Sequence, residues 1–313
     1  MEKRKLGRTD IAIAPLVFGG NVFGWTADET TSFTLLDRFV ERGFNAIDTA
    51  DTYSAWVPGN AGGESETIIG NWLKQRGRRD DVVLITKVGL WERRKGLRAE
   101  NIIAAAEDSL QRLQTDYIDV YFSHTDDEAT PLEETLNAFA KLVASGKVRA
   151  IGASNYSATR VQAALGISAQ QNLPRYEVLQ PEYNLYDRQA FERDLALLAV
   201  ERQLGVTCYF SLASGFLTGK YRTVDDLAGS SRADFLRKYF DDRGMRILAA
   251  LHGLAPALSA TPAQLALAWL MARPDVTAPI ASATKLTQLD DILGAANLRL
   301  PAEVLAQLDR ASA

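Results

Sequence analysis

The chain is poor in thiols and imidazoles. Its 313 residues include one cysteine, Cys208, and two histidines, His124 and His252. A lone thiol excludes an intrachain disulfide and argues against a sulfur-ligated metal cluster. Two imidazoles leave little for a zinc site. No apolar run approaches the roughly 20 residues that a membrane-spanning helix requires. The opening MEKRKLGRTD is charged and no apolar segment follows it, so no signal peptide is expected and the expected location is cytoplasmic. An excess of basic charge is missing too. The formal net charge is -4 with both signs mixed, which argues against a nucleic-acid backbone or an anionic membrane as partner. There is no G-x-G-x-x-G after the first strand-like segment and no linker-like shift in composition.

What is present is a regular alternation. Residues 3–6 and 11–14 flank Gly7-Arg8-Thr9-Asp10, a hairpin signal. Short apolar strands are then expected at 15–20, 45–48, 82–86, 117–122, 148–152, up to 180, at 206–210 and at 277–281. Segments of helical period separate them: 29–43, 64–76, 100–113, 132–145, 158–165, 188–202, 245–258, 262–271, 286–293 and 301–308. Pro301 is expected at the first position of the last helix. Residues 211–243 show no clear period. Strands alternating with helices imply parallel pairing through right-handed crossovers. Eight such units predict an α/β fold, a (β/α)8 TIM barrel with an N-terminal β-hairpin and extra C-terminal helices, built as one domain over 1–313.

In such a barrel the active site forms at the C-terminal strand ends. The second strand ends in Asp48, with Tyr53 in the loop beyond. The third runs into Lys87 and the fourth into Ser123-His124. A free phenol titrates near 10. An ammonium such as Lys87 beside it would favour the phenolate, and Asp48 would hold that ammonium charged. His124 would hydrogen-bond a substrate oxygen or join the relay. The set suits proton donation to a carbonyl oxygen as hydride reaches the carbon. No nucleophile elbow is evident, so acyl transfer is not favoured.

These blocks together resemble the aldo-keto reductases, from the initial hairpin to the last helix. Asp48-Thr49-Ala50-x-x-Tyr53, Glu66-x-x-x-Gly70, Lys87, and Asp116-Tyr117-Ile118-Asp119-Val120-Tyr121-x-x-His124 carry the likeness. The resemblance implies a catalytic tetrad of Asp48, Tyr53, Lys87 and His124. It implies that Ser154, Asn155 and Gln180 hydrogen-bond a nicotinamide carboxamide and that Tyr209 stacks on the ring. The run from Leu212 to Tyr221 resembles the loop over the pyrophosphate, with Leu212, Ser214, Gly215 and Leu217 as contacts. Gly20 and Asn21, at the first strand end, belong with the cofactor residues. Ser282, Thr284, Lys285 and Gln288 stand where related chains grip a 2′-phosphate. The resemblance implies NADP(H) ahead of NAD(H); Lys285 is the one cation there, where a phosphate normally attracts several donors, so dual use is allowed.

Trp25, Trp56, Trp91 and Phe122 are candidates for the substrate pocket, with Phe23 a further one. They suggest an apolar or ring-bearing carbonyl or alcohol. Several residues carry blander readings. Asp51 is expected as a turn former, Glu66 as a structural partner, His252 as a helix-face residue and Cys208 as core. Gly215–Tyr221 is no phosphate-binding P-loop, and Asp225-Asp226 and Asp241-Asp242 read as solvated loop charges. No metal is expected. Two alternatives share the fold: a cofactor-binding, redox-reading subunit of a channel or other complex, and an enzyme that oxidises a sugar or secondary-metabolite hydroxyl.

Overall fold

The computed structural model describes residues 1–230 and 232–313. The chain opens with a two-stranded antiparallel hairpin, β1 (Arg4–Lys5) and β2 (Ala12–Ile13). Eight parallel strands follow: β3 (Val17–Gly19), β4 (Ala46–Asp48), β5 (Val83–Val88), β6 (Ile118–Ser123), β7 (Val148–Ser154), β8 (Tyr176–Gln180), β9 (Gly205–Cys208) and β10 (Ala278–Ala281). They close in sequence order, β10 pairing with both β3 and β9.

The helices are α1 (Glu29–Glu41), α2 (Glu64–Arg76), α3 (Ala99–Leu113), α4 (Leu132–Ala144), α5 (Ala158–Gln171), α6 (Ala196–Glu201), α7 (Ala233–Leu236), α8 (Asp242–Leu254), α9 (Pro262–Met271), α10 (Leu286–Gly294) and α11 (Ala302–Ser312). Local chemistry sets their ends. Asp28 caps α1 by accepting from the Thr31 amide at 2.8 Å. Thr261 and Gln264 form a reciprocal capping box on α9, with Pro262 at its start. Gly77 closes α2 in the left-handed region, φ 65°.

Side chains alternate along the strands, so every second residue faces the axis. Val17, Ala46, Val83, Ile85, Val120, Phe122, Ala150, Val178, Ala278 and Ile280 fill the interior. Leu6, Ile11 and Ile13 of the hairpin join the same cluster. The hairpin therefore plugs the bottom of the barrel. The larger apolar cluster lies between the strands and the helices.

The structure moves several expected boundaries. Lys87 lies inside β5 rather than beyond it, because β5 to β7 are longer than the apolar runs that mark them. Ser154 is likewise the last residue of β7, whereas β9 stops at Cys208 and leaves Tyr209 outside. The segment expected as one helix over 188–202 starts as a wide π turn, Phe191–Leu195, before α6. α5 runs on to Gln171, and Pro301 is the cap of α11 rather than its first residue. The described residues of 211–241 hold short turns and α7, and α8 begins at Asp242.

Candidate active site

Adjacent strands deliver the central groups. Asp48 lies two residues beyond inward-facing Ala46, and Lys87 two beyond Ile85, so both turn into the barrel. Lys87 has no exposed surface and Asp48 almost none. The Lys87 ammonium donates to Asp48 Oδ2 at 2.7 Å, to the Thr49 carbonyl at 2.7 Å and to the Tyr53 hydroxyl at 2.9 Å. An ammonium has three donors, and all three are used. The Tyr53 hydroxyl donates to the same Asp48 Oδ2 at 3.2 Å. The other Asp48 oxygen accepts from Gln180 Nε2 at 2.8 Å. A buried carboxylate with this many donors cannot rotate away.

His124 follows β6, its amide donating to the Val88 carbonyl at 2.8 Å. That backbone bond fixes the histidine beside the strand that carries Lys87. Its ring centroid lies 6.0 Å from that of Tyr53, edge to face. Its Nδ1 is buried and meets no partner among the described residues. Burial first, and the Lys87 charge second, push its pKa well below the ordinary imidazole value, so the ring is neutral. A neutral imidazole can donate one N–H to a substrate oxygen.

The Tyr53 phenol behaves differently from the sequence expectation. Burial first, then the Asp48 charge, raise its pKa well above the ordinary value. Lys87 donates to this hydroxyl but does not reverse the shift, with Asp48 in direct contact with both groups. Burial also lowers the pKa of Lys87, and Asp48 opposes that shift. Tyr53 is therefore a neutral phenol through the neutral range, hydrogen-bonded and ready to give a proton.

The residues expected around a nicotinamide come together on the next strands. Ser154 Oγ donates to the Gln180 carbonyl at 2.8 Å, and Asn155 Nδ2 to the His124 carbonyl at 2.8 Å. The Tyr209 hydroxyl donates to Asn155 Oδ1 at 2.8 Å. Asn155 sits at φ 56°, a left-handed position that asparagine tolerates. Farther along, Ala213, Ser214 and Gly215 are all left-handed, with φ 48°, 57° and 102°. Two amides of this turn are already engaged, Ala213 donating to the Phe210 carbonyl at 2.7 Å and Gly215 to the Leu212 carbonyl at 2.9 Å. Leu212 and Gly215 are partly exposed there. Leu217 lies beneath them: its side chain is fully buried in the outer apolar cluster and its amide donates to the Leu212 carbonyl at 3.2 Å. It shapes the turn from below.

At the β3 and β10 ends, Ser282 Oγ contacts both the Gly19 carbonyl and Asn21 Oδ1 at 2.7 Å. A Cβ on Gly20 would come 3.0 Å from both the Asp48 carbonyl and Ser65 Oγ, so any side chain in this corner would press on both. Gln288 Oε1 accepts from the Thr284 amide at 3.0 Å and from its hydroxyl at 3.1 Å. Lys285 caps α10 with its backbone, is exposed, and makes no side-chain hydrogen bond or ion pair among the described residues. An unpaired cation at a helix start that has no side-chain cap fits a phosphate.

The aromatic candidates divide. Trp25 and Trp56 stand edge to face at 5.7 Å, and Trp56 is 6.2 Å from Tyr53. Trp56 is 49% exposed, so it offers a ring at the mouth. Trp91, Phe122 and Phe23 lie deeper. Trp91 is buried against Gly62 and under Arg112, whose guanidinium carbon lies 5.4 Å from its ring. Phe122 is fully buried inside the barrel against Gly152, and Phe23 is stacked on Phe18 at 5.3 Å in the outer cluster. Large side chains next to a strand end pack inward or outward according to register, which chain distance alone does not reveal.

Other readings resolve as follows. Asp226 and Asp241 cap helical turns: Asp226 accepts from the Arg222 and Thr223 amides, and Asp241 from the Gly244 amide at 2.7 Å. Among the described residues no group of three or more metal-ligating side chains occurs. Cys208 is fully buried and His252 is on the exposed face of α8. Glu66 is buried, accepting from Thr86 Oγ1 at 2.5 Å and Arg112 Nε at 2.7 Å. Asp51 lies in a turn, as expected, but its carboxyl is fully buried with no hydrogen-bond partner among the described residues.

Sequence reasoning missed what ties down residues 211–243. Lys238 reaches Asp187 at 3.2 Å and Glu182 at 3.4 Å, and the Tyr239 hydroxyl donates to Asp187 at 2.9 Å. Arg232 lays its guanidinium over Trp25, 5.4 Å from the ring. The signal available was the acidic pair of Glu182 and Asp187 just after β8.

The fold and the groups gathered at its mouth fit one family: the chain belongs to the Aldo/keto reductase family, whose sequence model matches residues 15–313. The chain is 36% identical to "Uncharacterized oxidoreductase YrpG" of Bacillus subtilis, over 99% of this chain and 95% of that one. It is 32% identical to "Protein tas" of Escherichia coli, over 99% of this chain and 97% of that one. A "Probable voltage-gated potassium channel subunit beta" of Arabidopsis thaliana is 32% identical over 95% of this chain and 92% of its own. Among the described residues no helix is long and apolar enough to cross a membrane.

Proposed function

We propose that this protein reduces aldehydes or ketones to alcohols with a nicotinamide dinucleotide, Tyr53 giving the proton. The observation that carries this reading is the set of contacts joining Lys87, Asp48 and Tyr53, with His124 beside the phenol. The bound cofactor supplies hydride to the carbonyl carbon. Tyr53 Oη passes its proton to the developing alkoxide. Lys87 then stabilises the phenolate left behind, since its Nζ already donates to that oxygen. Asp48 keeps Lys87 in place, and His124 donates to the same substrate oxygen. Ser154, Asn155, Gln180 and Tyr209 form the platform for the nicotinamide end, and the turn at Leu212–Gly215 faces the diphosphate.

NADP(H) is the preferred cofactor in this reading, supported by the unpaired Lys285 at the start of α10. Lys285→Ala is expected to raise the KM for NADPH by about tenfold, the size of one charge-assisted contact, and to leave that for NADH unmoved. Equal effects on both would remove Lys285 from the 2′-phosphate. Trp25 and Trp56 form the substrate wall and favour ring-bearing carbonyls. Trp56→Ala is expected to raise KM about tenfold for aromatic aldehydes and less for short aliphatic ones. The test of the whole reading is NADPH and NADH consumption over a panel of aromatic and aliphatic carbonyls. Cofactor binding without turnover on any of them would favour a cofactor-binding subunit of a larger complex instead.

A further inference from the structure

Behind the barrel wall lies a second polar cluster that the proposed reaction does not use. Asp51 is three residues beyond Asp48, and its amide reaches the Lys87 carbonyl at 3.4 Å. The loop is thus pinned to the strand residue that carries the ammonium. Glu66 from α2 holds Thr86 and Arg112. Thr86 and Tyr121 alternate with inward-facing neighbours, so both point away from the axis toward the helices. The Tyr121 hydroxyl is buried and, like both Asp51 carboxyl oxygens, meets no partner among the described residues.

The charges around Asp51 come from every side. α2 contributes Glu66, α3 contributes Arg112, β5 contributes Lys87, β6 contributes the Tyr121 phenol, and its own segment contributes Asp48 and Tyr53. Glu66 and Arg112 neutralise one another at 2.7 Å, as do Asp48 and Lys87. Both cations are therefore already matched. A third carboxylate in this sealed region would be uncompensated, and an unpaired buried charge is costly.

The geometry points to Asp51 as a positioning residue of the proton donor: a neutral carboxylic acid sealed behind Lys87, whose ionisation places a second negative charge beside the Asp48–Lys87 pair and weakens Tyr53 as an acid. This rests on Tyr53 being the donor. Burial, and then Glu66, raise the Asp51 pKa well above the ordinary carboxyl value. The linked stability has a definite sign. The folded chain holds this proton more tightly than the unfolded one. The resulting stabilisation is complete below the unfolded value and is lost as pH rises through the raised folded value. Over the same upper window, the new charge raises the phenol's pKa further and favours the charged form of Lys87.

The test is Asp51→Asn, which keeps the shape and cannot ionise. The alkaline limb of kcat for carbonyl reduction, set here by loss of the Asp51 proton, is expected to move to higher pH by about one unit or more, with KM unmoved. A limb that stays in place overturns the inference, since a role in packing alone would lower stability without moving the profile. Should that variant fail to fold, carboxyl carbon NMR on the wild-type chain reads the group directly, assigned through Ala50-Asp51-Thr52. A carboxyl still protonated at neutral pH supports the inference, and one that titrates like a free aspartate overturns it. That reading needs no turnover, so it stands apart from any failure of carbonyl reduction itself.

Discussion

Tyr53→Phe is expected to lower kcat for carbonyl reduction by roughly 100- to 10,000-fold, the range that general acid catalysis supplies. The change removes one oxygen and leaves the ring, so the edge-to-face contacts with Trp56 and His124 survive. It removes a donor to Asp48 Oδ2, but Lys87 and Gln180 still hold that carboxylate. Fold and cofactor affinity should thus be retained. Cofactor fluorescence titration together with steady-state rates checks both halves. A variant that turned over at the wild-type rate with unchanged cofactor binding would remove Tyr53 from the chemistry. The direction of the Tyr53 shift adds a second observable. Because the phenol holds its proton through the neutral range, reduction starts from the correct form, whereas alcohol oxidation needs the phenolate. The oxidation rate is expected to rise with pH where the reduction rate does not.

Lys87→Met is expected to abolish turnover and also to destabilise the fold, by about 3–5 kcal/mol, the cost of breaking a buried ion pair on one side. Methionine fills similar volume but leaves the Asp48 carboxyl enclosed and short of its main donor. It also leaves the Thr49 carbonyl without its Lys87 donor. Removing both charges separates the two roles. The double variant Lys87→Met with Asp48→Asn should recover much of the lost stability, because no unpaired charge is left, and none of the activity. Denaturant melts beside rate measurements read the split. If the double variant were no more stable than the single one, the ion pair would not be the source of the cost.

The barrel was legible because its signals are short-range. Apolar runs with a period of two, helices with a period near 3.6 and capping residues such as Asp28 and Thr261 all agree along the chain. The central groups were legible for a topological reason: strand ends of a closed parallel barrel converge, so Asp48, Lys87 and His124 had to meet once the barrel was inferred. What failed was anything decided by facing or depth. Asp51 reads like a turn residue, yet its loop folds back onto Lys87 and buries it. Phe122 and Trp91 lie near strand ends, yet one faces the packed axis and the other a helix. The direction of the Tyr53 shift also escaped, since it depends on burial and on Asp48 touching the phenol rather than on Lys87 being near. The turns in 211–243 were illegible because their fastening, Lys238 to Glu182 and Asp187, joins residues 56 and 51 positions apart.

The hairpin plug gives the barrel one neck. With Leu6, Ile11 and Ile13 stoppering the far end, water and protons have no through-route along the axis. In the proposed reaction, the proton given by Tyr53 is replaced through the opening that also admits substrate and releases product. Refilling the acid and emptying the pocket thus share a doorway, and Trp56 stands in it.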